Sequence, residues 1–167
     1  MRVIRLSATD ATAYRSLMLH AYEHEADAFT STAEERAAEP LSWWEKRIAD
    51  PQGMRSALGV YHEGGLIGTV ALEFSAKPKT RHKVLLIGMY VVSSCRTLGA
   101  GRALVDAAID FARSRPGVTV MGLTVTEGND PAIGLYKTCG FQEFGTEPMA
   151  MLTSTGYRAK VHMWRAV

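Results

Sequence analysis

Between Val84 and Arg113 the chain runs from an apolar stretch through a glycine pair into a helical stripe, and few arrangements accommodate that order. Val84, Leu85, Leu86, Ile87, Met89, Tyr90, Val91 and Val92 form a near-continuous apolar run, the mark of a strand covered on both faces rather than wetted on one. Arg96-Thr97-Leu98-Gly99-Ala100-Gly101 follows. Leu104, Val105, Ala108, Ile109 and Ala112 then recur at helical spacing and give the next segment a buried stripe. A helix begins with backbone N–H groups that lack internal partners and with the positive end of its dipole. A glycine loop that lets a ligand come close to such an end is an anion seat, and Arg96 and Arg102 add charge at the same place.

The loop is not that of a nucleoside triphosphatase, because no Lys-Ser or Lys-Thr follows the glycines. Nor does it suit a dinucleotide fold. Leu104 stands where a third small residue is wanted, and Val118, Thr119 and Val120 stand where an acid should hold a ribose. The pattern Arg-x-x-Gly-x-Gly after a strand instead resembles the coenzyme A loop of the GNAT N-acetyltransferase superfamily. Met89-Tyr90-Val91 before the loop is similar to the family as well, with Ser93 where a Pro is common. A second stretch, Asn129-Asp130-Pro131-Ala132-Ile133-Gly134-Leu135-Tyr136-Lys137-Thr138-Cys139-Gly140-Phe141, resembles the family's later signature: Asn, then Ala, then Leu-Tyr, then Gly-Phe. The two together, in this order, are far more specific than either alone.

The resemblance implies an α/β (α+β) fold: one domain over residues 1–167, a mixed and mostly antiparallel sheet of about seven strands, and about four flanking helices. Its central parallel pair, Val84 to Val92 and Val118 to Thr126, would splay apart to admit the pantetheine arm of acetyl-CoA, the cosubstrate. The resemblance further assigns the backbone of Met89 and Val91 to the pantetheine amides, and Arg96, Leu98, Gly99, Ala100, Gly101 and Arg102 to the pyrophosphate. Asn129 and Ala132 would contact the pantetheine arm, and Tyr136 would protonate or hydrogen-bond the coenzyme A sulfur. The implied activity is transfer of acetyl to a primary amine of a small molecule, a peptide N-terminus or a lysine, by direct attack on the thioester. A non-catalytic acyl-CoA sensor, or a domain that grips a macromolecule through Lys79, Arg81 and Lys83, is the alternative.

Composition bounds the rest. A chain of 167 residues with 47% hydrophobic content can bury one core and is short for two. A net charge of +2 does not mark a nucleic-acid binder. No apolar run reaches the ~20 residues of a membrane span, and Met1-Arg2-Val3-Ile4-Arg5 lacks the apolar core of a signal peptide. A cytoplasmic protein with no membrane partner is expected. Cys95 and Cys139 show neither metal-ligand spacing nor a disulfide framework, which suits a reducing compartment.

The acceptor side is less legible. Thr9 and Asp10 can open a helix whose stripe is Tyr14, Leu17, Met18 and Ala21, ending in His20-Ala21-Tyr22-Glu23-His24. Read as His-x-x-Glu-His, this is an inverted zinc-protease motif, but no third ligand is evident, and no metal is expected. From Asp10 to Glu45 acids far outnumber bases, a wall that would draw a cationic amine. Thr32 and Glu35 form a capping box, Pro40 permits another helix start, and Trp43 and Trp44 pack or edge a substrate mouth. Ser56 to His62, Leu66 to Ser75 and Lys83 to Val92 read as successive strands, the first two joined at Glu63-Gly64-Gly65. Glu73, an acid among small residues on the second of these, is the first choice for catalytic base, ahead of Glu23, Glu25, His82 and Glu127. Phe141 to Phe144 and Tyr157 to Trp164 are expected to close the sheet, joined through Glu147 to Gly156. The acceptor's identity is open, as is the choice between a monomer and a homodimer.

Overall fold

The computed structural model describes residues 1–167. Seven strands, β1 (Arg2–Arg5), β2 (Arg55–His62), β3 (Gly65–Phe74), β4 (Lys83–Val91), β5 (Val120–Thr126), β6 (Gln142–Thr153) and β7 (Gly156–Ala166), make one sheet in the order β1-β2-β3-β4-β5-β7-β6. Every neighbouring pair is antiparallel except β4 and β5. Helices α1 (Ala11–His24), α2 (Ala33–Ala37) and α3 (Leu41–Ile48) precede β2, α4 (Ala100–Arg113) joins β4 to β5, and α5 (Asp130–Thr138) follows β5.

The two faces of the sheet carry different cores, and the alternation of side chains along β3 divides them. Val70, Leu72 and Phe74 join the larger cluster beneath α4, with Leu104, Val105 and Ile109 of that helix. Ala71, between them, belongs to the cluster under α1 and α3, with Tyr14, Met18, Trp44 and Ile48. The glycine loop is therefore anchored by a helix whose Leu104, Val105 and Ile109 are at most 3% exposed. Each such side chain contributes roughly 1.5–3 kcal/mol of burial, so the phosphate end of the fold is built on rigid ground.

Local chemistry sets the boundaries. Glu63 and Gly64 both have positive φ, 49° and 82°, the requirement of a tight turn whose twist matches its strands. At α2, the Thr32 hydroxyl accepts from the Glu35 N–H at 3.1 Å, while the Glu35 carboxylate accepts from the Thr32 N–H at 2.8 Å. The acidic N-terminal stretch forms separate short helices interrupted at Pro40, as the capping box and the proline lead one to expect. One feature departs from the sequence expectation: the final hairpin is longer, because the segment read as a connection, 147–156, is mostly strand, and only Ser154 and Thr155 turn. A bulge with Met149 at φ 51° lets β6 continue past its irregular register.

Candidate active site

Only Lys83, Val84 and Leu85 of β4 pair with β5, against Val120, Met121 and Gly122. Beyond them β5 remains bonded to β7 through Thr126, and β4 remains bonded to β3 through Val91. The two parallel strands part because each keeps its antiparallel partner. The gap is a cleft of about 720 Å³ walled by Leu86 to Val91 on one side and Thr124 to Thr126 on the other. Gly88, at φ 59°, sits where the register between β3 and β4 shifts, so the backbone around Met89 leaves its own ladder and faces the opening. Met89 and Val91 both line the cleft, without a strand partner on the β5 side.

The glycine loop closes one end. Gly99 is left-handed at φ 76° and caps α4, and Gly99, Gly101, Arg96 and Arg102 all line the cleft. Arg96 is held by its Nε donating to the Val91 carbonyl at 3.1 Å and by an ion pair with Glu25. Arg102 donates from Nε to Asp106 at 2.9 Å. Two of the residues expected around the pyrophosphate contribute no side chain: Leu98 is turned to solvent and Ala100 is buried in the core beneath α4. Only their backbone groups are available to a ligand.

On the β5 side, Asn129 caps α5 by accepting from the Ala132 N–H at 3.4 Å, and Asn129, Ala132, Leu135 and Tyr136 line the wall. Tyr136 is 6% exposed, packs edge-on against Phe141, and has no protein hydrogen-bond partner for its hydroxyl. Burial pushes its phenol well above the ordinary value, with a smaller push from Cys139. It is a phenol that keeps its proton, set in the wall of the cleft.

Glu73 requires a correction. Its carboxylate accepts from Arg55 Nε at 3.1 Å and lines a separate shallow depression with Lys46, Asp50 and Met54, outside the main cleft. Strand alternation places it on the α3 face, but at the end of β3 far from the bulge: it stands opposite Leu85, whereas the splay begins after that residue. Of the other base candidates, Glu23, His82 and Glu127 do not line the cleft. Glu25 does, committed to Arg96. The acidic wall expected from the N-terminal helices is consequently absent from the opening, since Glu25 is its only carboxylate.

What does stand on the α1 and α3 side of the cleft is Tyr22, Phe29, Arg47, Tyr90 and Lys160. The Tyr90 hydroxyl lies 2.9 Å from His20 Nδ1, and the His20 ring stacks on His24 at 4.0 Å. These contacts, rather than convergence on a metal, occupy the His-x-x-Glu-His segment, whose Glu23 points to solvent. Burial raises the Tyr90 phenol, with Arg96 opposing and Glu25 adding. Lys160 donates to the Thr30 hydroxyl at 2.6 Å. Sequence reading missed Arg47, yet a signal existed: with Trp44 and Ile48 it shares the inward stripe of α3, an uncommon place for a charge.

Comparison with known proteins gives the chain a lineage. Residues 18–141 match the Acetyltransferase (GNAT) family. The chain is 29% identical over 122 residues, 73% of its length and 74% of the relative's, to the L-amino acid N-acetyltransferase AaaT of Escherichia coli strain K12. It is 30% identical over 109 residues, 65% of its length and 70% of the relative's, to the ribosomal protein bS18 alanine N-acetyltransferase of the same organism. Its fold matches that of a Salmonella typhimurium acetyltransferase solved with its cofactor acetyl-CoA, at a TM-score of 0.82 and 23% identity over 99% of this chain and 93% of that one. A cleft opened between parallel strands, a glycine loop at a helix start and the match over most of the chain agree, and the protein belongs to the GNAT family of N-acetyltransferases.

Proposed function

We propose that the cleft takes acetyl-CoA from the α4 side and a primary amine from the α1 and α3 side, and that the amine attacks the thioester directly. The single observation carrying this reading is that one continuous cleft joins the glycine loop, the freed backbone of β4 and Tyr136. The residues suit the cosubstrate. Gly101 admits backbone approach at the first turn of α4, Arg96 and Arg102 flank it, and the walls beyond are largely apolar. Acetyl-CoA supplies an acyl carbonyl already activated as a thioester.

Met89 and its neighbours offer backbone N–H groups where charge develops on the carbonyl oxygen, and a well-aimed donor of this kind contributes about 3 kcal/mol. Tyr136 holds a proton at Oη for the departing sulfur. With its phenol raised, it stabilises the thiolate first as a hydrogen-bond donor. A proton leaving the amine has a hydrogen-bonded path through Tyr90, which lines the cleft, to His20, which reaches solvent. No carboxylate outside an ion pair stands in the cleft to take that role.

The acceptors named for the relatives, free amino acids and the alanine of a ribosomal protein, are both primary amines beside a carbonyl carbon. An amine panel incubated with acetyl-CoA, read by thiol release and by mass spectrometry of the acetylated product, tests the proposal. Turnover with at least one amine is expected. Tight acetyl-CoA binding without turnover across the panel would favour a sensor, with the exposed Lys79 and Arg81 of the β3–β4 connection and Lys83 at the start of β4 as its contact surface.

A further inference from the structure

Arg47 is the one charged side chain of the cleft with no partner. Glu25 is neutralised by Arg96, Arg102 by Asp106, and Lys160 is hydrogen-bonded to Thr30. The Arg47 guanidinium makes no ion pair and its Nε is buried without an acceptor; the neutral Tyr14 hydroxyl lies beside it without a well-formed hydrogen bond, and its face rests on the Trp43 ring at 5.4 Å. Glu73, a carboxylate close enough to act on Arg47 through space, is taken by Arg55. Arg47 is half-buried, and a donor such as its Nε, withdrawn from water and left without an acceptor, is costly; a ligand that supplies an acceptor recovers part of that cost.

Its position narrows that ligand. A methyl group built on Gly88 would lie 3.8 Å from Arg47 Nη2, 3.8 Å from the Tyr14 hydroxyl and 3.9 Å from Met18 Cε. The Tyr14 hydroxyl is itself buried without a partner. Gly88 adjoins Met89, where the acyl carbonyl is placed by the reading above. An anion on Arg47 is therefore close to the attacked carbon, so amine and anion must be separated by a short span. Lys160, which also lines the cleft with no carboxylate bound to it, adds to the same positive field.

We infer that Arg47 is a specificity-determining residue that holds the carboxylate of the acceptor, and that the acceptor is a free amino acid rather than a protein N-terminus or a simple cationic amine. The inference names the acceptor class of the acetyltransferase reading and rests on it for the position of the reacting carbonyl. A planar guanidinium donates to both carboxylate oxygens at once. A protein N-terminus presents an amide at that point, and an amide cannot offer two anionic acceptors.

The test pairs each of a set of L-amino acids with its primary amide. Titration of the CoA-loaded protein, followed by tryptophan fluorescence, measures binding with no acetyl donor present, since Trp43 lies against Arg47. Acids are expected to bind more tightly than their amides by about 10- to 100-fold, the range of a charge-assisted pair. In Arg47→Gln the ratio should fall towards one, with Arg47→Lys between, each variant's fold being checked by circular dichroism. With acetyl-CoA the same ratio should appear in kcat/KM, carried by KM. Equal binding of acids and amides, no binding of any acid, or a ratio unchanged in both variants would overturn the inference. Selective, Arg47-dependent acid binding without acetyl transfer would leave the carboxylate site standing and refute the acetyltransferase reading instead.

Discussion

Gly101 separates two reasons for a glycine, and replacing it with alanine shows which applies. Its backbone is helical, so the substitution meets no conformational penalty, and a Cβ there would lie 3.2 Å from Leu135 Cδ2 and 3.6 Å from Met89 Cε. Both neighbours are ends of flexible side chains. Alanine in a helix interior is favoured over glycine by about 1 kcal/mol, somewhat less in a first turn, and a shift of a few tenths of an ångström in Leu135 offsets part of this. Gly101→Ala should thus melt at the wild-type temperature or about 2 °C above it. On the proposed reading, the new methyl nevertheless projects where a phosphate would approach the N–H groups of α4. Loss of one charge-assisted hydrogen bond is worth about 1.5–3 kcal/mol, or roughly 10- to 150-fold in affinity. Calorimetric titration with CoA beside a thermal scan reads both numbers. Gly99 is the control: at φ 76° with open space around it, alanine there should cost about 1–2 kcal/mol from left-handed strain. Gly101→Ala binding CoA as the wild type does, or unfolding early with unchanged affinity, would refute the idea that this glycine exists for ligand approach.

Glu73→Gln should leave kcat unchanged and cost at most about 1 kcal/mol of stability, because the carboxylate serves a partly exposed ion pair with Arg55; a large fall in kcat would return it to the base's role. Tyr14 and Tyr136 both have phenols raised by burial. Their contribution is complete below the ordinary phenol value near pH 10 and declines as pH rises through the folded value, since the unfolded chain loses those protons first. Alkaline unfolding monitored by circular dichroism should accordingly be less steep above pH ~10 in Tyr14→Phe, which also removes a hydroxyl with no partner.

The cofactor end of the cleft was readable because its parts are contiguous. Strand, loop and helix occupy successive residues, and the periodicity that marks α4 is the periodicity that buries it. Tyr136 was singled out by the resemblance of Asn129 to Phe141 to the family's later signature, and it lies in the cleft wall. The acceptor end was opaque because it is assembled from distant segments: His20 meets Tyr90 across 70 residues and Glu25 meets Arg96 across 71. Glu73 misled for a related reason. Alternation gives the face of a strand but not the height along it, and height is set by where β4 and β5 part. The length of β6 was hidden by its bulge, which breaks the two-residue period from which strands are recognised.

The most direct test of the account compares wild type and Tyr136→Phe in steady-state acetyl transfer and in acetyl-CoA binding. The hydroxyl has no partner in the protein, so its removal should leave folding and acetyl-CoA affinity near wild type. Its loss should lower kcat by about 100-fold or more, in keeping with a single acid's share of catalysis. A Tyr136→Phe enzyme with full kcat would contradict the placement of the chemistry in this cleft.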